Sequence, residues 1–390
     1  RTSKSMKNQS LPLELIEEIL LRLPVRSILR FKCVCKSWFS LISEPQFAVS
    51  HYDLAAAPTH RLLLKANNYF YAQSIDTDAP LNMHPSVVNL IIPPPSPPCD
   101  TGPRTFYNYH VFRFQTAILG SCRGFILLYY IFLREIILWN PSIGVHKRIT
   151  DLALRDLTNE FLFGFGYDPS TDDYLLILVS RFSIRHPETV LRVFSFKTCS
   201  WKEDYTSLSY NDCGYQFRAG SLLNGALHWL IFSRDKNRHV IIAIDLIQLI
   251  FSEIPLLDSL TSEKYEIHSL KVMGGCLGLC CSVRNCEATE IWVMKEYRVQ
   301  SSWTKSVVIP NYDCDVPFFP ICITKDGEIF GSNNGEKFVK LNKEGERLDD
   351  FISVQYEWLD CLNQQSALYR ESLLLIPDVI RETSEDDDQK

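Results

Sequence analysis

The chain has 390 residues, 46% apolar, 22% charged and 12% aromatic, a size that exceeds one ordinary core and suits a small domain beside a large one. A net charge of −6 with no polybasic run gives no footing for nucleic acid or an anionic membrane surface. The 13 cysteines, an odd number in a long chain with no apolar h-region near its N-terminus and no run of transmembrane length, are expected to be reduced thiols in cytosol or nucleus.

Arg1 leads the chain in place of Met, so the true N-terminus is left open, and residues 1–10 read as a flexible lead. From Leu11 to Phe47 the pattern is helical. Leu13, Ile16, Leu20 and Leu23 fall on one face, with Glu14, Glu17 and Arg22 left toward solvent. Pro12 suits the first turn and Pro24 stops the helix. A second apolar set follows at Ile28, Leu29, Phe31, Val34, Cys35, Trp38, Leu41 and Ile42. Helices this short make a poor independent core, so the module needs cover from a partner or from the rest of its own chain.

The residues Leu11-Pro12, Glu14-Leu15-Ile16, Ile19-Leu20, Leu23-Pro24-Val25, Ser27-Ile28-Leu29-Arg30-Phe31, Val34-Cys35-Lys36, Trp38 and Pro45-Gln46-Phe47 resemble a plant F-box over its whole length. The resemblance implies an F-box at 11–50 that docks on a Skp-type adaptor and through it on a cullin scaffold. The docking residues it implies are Leu11, Pro12, Ile19, Leu20, Leu23, Pro24, Val25, Leu29, Val34, Cys35 and Trp38. Apolar anchors concentrated in a small patch are what a stable interface needs.

Beyond about residue 60 the period changes. Short β-branched and aromatic runs, such as Phe125 to Ile131, Tyr174 to Val179, Val240 to Ile244 and Glu290 to Met294, read as strands. Turn signals at Asn67-Asn68, Arg123-Gly124, Asp172-Asp173, Asn224-Gly225, Gly274-Gly275 and Asp326-Gly327 recur about 50 residues apart, the first interval being longer. A second series keeps step: Leu138-Trp139-Asn140, Val193-Phe194-Ser195, Ala243-Ile244-Asp245, Trp292-Val293-Met294 and Val339-Lys340-Leu341. Six repeats of four strands predict a six-bladed β-propeller-like ring at 60–377, closed by a late strand at Leu373 to Ile376. A twisted β-sandwich is the alternative. The residues 378–390 read as an acidic, polar, solvated tail.

This region carries a second resemblance. Trp139-Asn140-Pro141-Ser142, Phe165-Gly166-Tyr167-Asp168-Pro169, Lys197-Thr198-Cys199-Ser200-Trp201-Lys202, Asn224-Gly225-Ala226-Leu227-His228-Trp229, Phe251-Ser252-Glu253-Ile254-Pro255, Glu290-Ile291-Trp292-Val293-Met294 and Tyr369-Arg370-Glu371-Ser372-Leu373 resemble the plant F-box-associated interaction domain. Together the two point to the F-box/kelch-repeat family, which includes the S-locus F-box proteins. The Gly-Gly pair of kelch repeats occurs only at Gly274-Gly275.

Chemical constellations are weak. Cys276, Cys280, Cys281 and Cys286 lack the paired spacing of a zinc site, and the run Cys276 to Val283 reads as a buried strand, so no metal is expected. His228 lies in a strand with no nucleophile motif beside it. Asp168 and Asp245 sit where carboxylates cap turns. The proline run from Pro93 to Pro98 reads as a stiff extended loop, with a polyproline ligand as the other reading.

The function implied is a non-catalytic substrate-recognition subunit of a Skp–cullin–F-box ubiquitin ligase, with no cofactor and an unidentified target protein as partner. The alternative is a propeller enzyme or small-molecule sensor with a ligand in its central channel. For the target, the longer connections opposite the tight turns are expected to supply the surface: 181–188, 205–215, 233–238, 284–288 and 311–319. They carry Arg181, Phe182, His186, Tyr210, Arg234, Arg284, Tyr312 and Phe318, residue types common at binding hot spots.

Overall fold

The computed structural model describes residues 11–55, 59–65, 71–78, 87–95, 116–130, 133–150, 161–183, 186–206, 218–233, 236–262, 264–283, 288–310, 318–333, 337–353 and 366–377. Four short helices come first: α1 (Leu13–Leu20), α2 (Val25–Phe31), α3 (Lys36–Ser43) and α4 (Pro45–Leu54). Prolines set three of the starts. Pro12 and Pro24 hold extended backbone just ahead of α1 and α2. Pro45 takes the first turn of α4, where its missing N–H breaks no helical bond.

Strands follow in fours. The first sheet holds β1 (His60–Lys65), β2 (Tyr71–Asp76) and β3 (Val87–Ile91); the second β4 (Thr116–Cys122), β5 (Phe125–Tyr130), β6 (Glu135–Trp139) and β7 (His146–Thr150). The third holds β8 (Phe161–Asp168), β9 (Asp173–Ser183), β10 (His186–Ser195) and β11 (Ser200–Thr206), with β12 (Arg218–Ala219) added parallel to β8. The fourth holds β13 (Ser221–Leu223), β14 (Ala226–Ser233), β15 (Arg238–Asp245) and β16 (Phe251–Ile254). The fifth holds β17 (Tyr265–Met273), β18 (Cys276–Val283), β19 (Ala288–Met294) and β20 (Trp303–Pro310). The sixth holds β21 (Phe318–Ile323), β22 (Ile329–Asn333), β23 (Lys337–Leu341) and β24 (Arg347–Ser353). The last strand, β25 (Ser366–Arg370), returns to the first sheet as its inner edge, antiparallel to β1 with Leu62 opposite Leu368. The result is a six-bladed β-propeller closed by pairing the two ends of the domain, the device by which a ring of sheets protects its edges.

Burial explains why the strands read as continuous apolar runs. Each blade is covered on both faces, so alternate residues of one strand enter different cores. In β5, Ile126, Leu128 and Tyr130 pack between blades one and two, while Phe125, Leu127 and Tyr129 pack between blades two and three. Further apolar cores fill the seams between blades three and four, four and five, five and six, and six and one. This ring of seams excludes the sandwich alternative.

Two expectations are corrected. The closing strand is Ser366–Arg370, not Leu373 to Ile376. That apolar run leaves the sheet, and Leu373 and Leu374 are buried in the core that the helices share with blades two and three. The turn series also slips at its first member. In blades two to six the tight turns join the first and second strands, but β1 and β2 are the second and third strands of blade one. Asn67-Asn68, which lies outside the described residues, therefore falls between the second and third strands of its blade, and the first interval is longer because 24 residues separate β3, which ends at Ile91, from β4, which starts at Thr116.

Candidate functional site

The helical module divides its apolar residues between two surfaces. Leu11, Leu13, Leu15 and Ile19, with Val34 and Phe39, are each at least 50% exposed. Leu15 and Ile19 lie four apart and share one stripe of α1. Single exposed apolar residues are ordinary, but six large ones within one short module form the kind of surface that a partner covers. Cys35 is exposed beside them, and a hydrogen bond with the Ser37 hydroxyl at 3.1 Å is the main cause holding its thiol below its ordinary value.

The other surface faces the ring. Leu20, Leu21, Val25, Ile28, Ile42, Phe47 and Ala48 are buried in one core with Phe125, Tyr174, Phe194 and Leu373. The ring of Tyr52 on α4 is flanked by two guanidinium groups, Arg370 at 4.1 Å and Arg123 at 4.8 Å, and Arg123 also lies 4.3 Å over Tyr167. Arg370 donates to the Tyr52 carbonyl. Arg26 on α2 pairs with Glu371 at 3.4 Å. Glu371 also meets the buried Arg61 at 3.6 Å.

Two sequence motifs from distant parts of the chain meet at this seam. Asn140 is fully buried. Its side-chain amide donates to the Ser372 hydroxyl at 3.1 Å and the Leu374 carbonyl at 3.0 Å, while its oxygen accepts the Ser142 N–H at 2.9 Å. The Ser142 hydroxyl in turn accepts the Ser372 N–H at 3.1 Å. Gly124, at φ +85, lets this segment pass close by, since a β-carbon there would stand 2.3 Å from the Ser372 hydroxyl. The helices thus rest on the face made by the turns at Arg123-Gly124 and Asn140 to Gly144.

The implied docking residues separate accordingly. Leu11, Pro12, Ile19, Pro24, Val34 and Cys35 are exposed; Leu23, Leu29 and Trp38 are half-buried against the shared core. Leu20 and Val25, at 1% and 4% exposure, belong to that core and not to the outer patch. Periodicity marks a residue as apolar-facing without saying which of two covers it receives.

On the ring, the strand ends that flank the five connections expected from the sequence are on the face opposite the helices, because neighbouring strands in each blade are antiparallel. Their residues need correction. Arg181 and Phe182 are within β9 and His186 within β10, since that hairpin runs further than its polar residues suggest. Phe318 is buried in β21 between blades five and six. Tyr210, Arg234, Arg284 and Tyr312 lie outside the described residues. The ends of β3 and β24 and the starts of β4 and β25 are on this face too, and the length of chain between them was a signal in the sequence that had gone unused.

The weak chemical candidates resolve into structure. Both ring nitrogens of His228 are engaged, Nδ1 with the Ser221 carbonyl at 3.0 Å and Nε2 with the Tyr297 hydroxyl at 2.7 Å. Asp168 accepts from Ser170 and Thr171, and Asp245 from the N–H groups of Ile247 and Gln248, as turn caps. For Asp168 burial pushes the carboxyl up, but those hydrogen bonds outweigh it and leave it lowered. Cys280 and Cys281 point to different seams of β18, and burial raises both thiols; Cys286 lies outside the described residues. In the proline run, the carbonyls of Pro93 and Pro94 accept from Tyr130 at 2.6 Å and Arg148 at 2.7 Å, as a strap on blade two; residues 96–98 lie outside the described residues.

Comparison with known families decides the identity. The F-box domain model matches residues 9–50, and the F-box associated beta propeller domain model matches residues 97–365. The chain belongs to the plant F-box proteins that carry an F-box-associated β-propeller. Among similar Arabidopsis thaliana proteins, F-box/kelch-repeat protein At3g23880 is 28% identical over 80% of this chain and 82% of its own length. Putative F-box protein At3g16210 is 29% identical over 59% and 56%, and F-box protein CPR1 25% identical over 76% and 72%. F-box proteins with β-propeller domains are generally substrate receptors of Skp–cullin–F-box ligases, and the family is generally non-catalytic. An F-box implies a Skp-type adaptor.

Proposed function

We propose that this chain is a non-catalytic substrate receptor of a Skp–cullin–F-box ubiquitin ligase, working in cytosol or nucleus. The exposed patch of Leu11, Leu15, Ile19, Val34 and Phe39 docks on the Skp-type adaptor, and a cullin scaffold follows through it. The ring presents an unidentified target protein on the face opposite the helices. The reaction is helped by proximity alone: tethering raises the local concentration of target near the ubiquitin-carrying enzyme.

The observation that carries this reading is the division of the helical module. One side is packed into the ring and the other is left apolar and bare. A self-contained helical cap has no use for the second surface. The test is affinity capture of the tagged chain from plant cells with the proteasome blocked. The adaptor and a cullin are expected with the wild-type chain and absent with Ile19→Asp. Wild-type chain that captures neither would sink the proposal.

A further inference from the structure

The inner strands of the six blades line an open central cavity of about 480 Å³, within the size range of small-molecule sites. Among the described residues that line it, the charged ones are Arg123 and Lys271, and no Asp or Glu is present. Both cations stand at the end nearer the helices: Arg123 in the turn after β4, and Lys271 two residues before the end of β17. Apolar wall is supplied by Ile118, Phe165, Leu222, Leu270 and Ile321.

The two cations differ in how they are satisfied. Arg123 is held between the rings of Tyr52 and Tyr167, though its buried Nε finds no acceptor among the described residues. Lys271 keeps part of its surface on the cavity and is otherwise enclosed by protein. The groups acting on its ammonium are the thiols of Cys322 and Cys280. Both are raised by burial, Cys322 to about 12, so neither supplies a negative charge. Nearby carboxylates are turned elsewhere. Asp78, felt by Cys322, is paired with Lys325 at 3.0 Å, and Glu266 on the same strand is exposed. Burial pushes the Lys271 ammonium down to about 8, which leaves it mostly charged at neutral pH in a site where no described residue supplies a counter-ion. An enclosed charge of that kind is costly until an anion meets it.

We propose that the central cavity binds a small organic acid, its anionic group paired with the Lys271 ammonium and its apolar body against Phe165, Leu270 and Ile321. The site is separate from the adaptor patch and does not depend on it. Because Arg123 joins the cavity mouth to Tyr52 of α4, an occupied cavity would also steady the helices on the ring.

The test uses the full chain and three probes: benzoate, its uncharged analogue benzamide, and inorganic phosphate. Benzoate raises the melting temperature of the wild-type chain and benzamide does not. Reductive methylation read by peptide mass spectrometry then locates the effect. At about ten times its Kd, benzoate slows modification of Lys271 about tenfold, because only the unoccupied fraction reacts. The exposed Lys343 serves as the internal reference and is unaffected. The benzoate-dependent rise in melting temperature disappears in Lys271→Met; if that variant does not fold, the wild-type protection decides. A wild-type chain whose melting ignores benzoate, or whose Lys271 is methylated no more slowly in its presence, overturns the proposal. So does protection by phosphate equal to that by benzoate, which would make this a site for inorganic anions only.

Discussion

On α1, two adjacent apolar residues meet opposite surroundings: Ile19 is 52% exposed and Leu20 only 1%. Leu20→Asp puts an unpaired carboxylate into the core shared with the ring and is expected to cost about 3–5 kcal/mol, read as a lower urea midpoint. An unchanged midpoint would mean that Leu20 is not where the core is. A second expectation concerns pH. His51, His228 and His268 are each held below the ordinary value of 6.5, chiefly by burial. Below that value the unfolded chain binds protons at these sites and the folded chain does so less, so stability is full above about pH 6.5 and falls as pH drops toward the folded-state values. The melting temperature should therefore decline between about pH 6.5 and 5.5, above the range where carboxylates titrate; a flat profile there would show that these rings are not held neutral. Some of this was legible beforehand. The turn-capping roles of Asp168 and Asp245 follow from residue type and position. The buried location of Phe318 did not, because an aromatic residue beside a polar stretch has the same local signature whether it ends a loop or begins a strand.

Among the elements, the repeat of tight turns and strand ends was readable because each blade solves the same problem with the same local chemistry. The closing strand was not. Ser366–Arg370 is short and ordinary in composition, and its role depends on pairing with β1, far away in sequence. The run Leu373 to Ile376 looked more strand-like because it is apolar, yet its apolarity serves the seam beneath the helices. That seam changes what is expected of a truncated chain. A fragment starting near residue 60 reads from the repeat pattern as a complete domain. Removing the helices, however, takes Leu20, Val25, Ile28, Ile42 and Phe47 from a shared core, and Tyr52 from between Arg123 and Arg370. Such a fragment is expected to melt below the full chain and to bind a hydrophobic dye. A fragment that melts at the full-length temperature without binding dye would show that the seam contributes nothing.

At the scale of the whole molecule, the helices and the strand ends that lead into the long connections are on opposite faces of one ring. The helices cover the tight-turn face at blades one to three, and the connections at 92–115, 207–217, 311–317 and 354–365 leave from the other. Under the proposed function, packing of the helices on the ring would fix the direction in which a target is presented, so target capture should follow exchange of those connections with a relative's while adaptor binding does not. Capture that survives every exchange, yet fails when the turns at Asn224-Gly225 or Asp326-Gly327 are altered, would mean that the target binds the other face.

The central claim, that the bare side of the helical module is the adaptor site, is tested most directly by titration calorimetry of a Skp-type adaptor against the full chain and its Ile19→Asp variant. Ile19 is exposed, so the variant should keep the wild-type melting temperature within the small change usual for surface positions. Its affinity should fall by about thirtyfold or more, the loss of one central apolar anchor worth about 2 kcal/mol. Wild-type affinity in a folded Ile19→Asp chain would contradict the account.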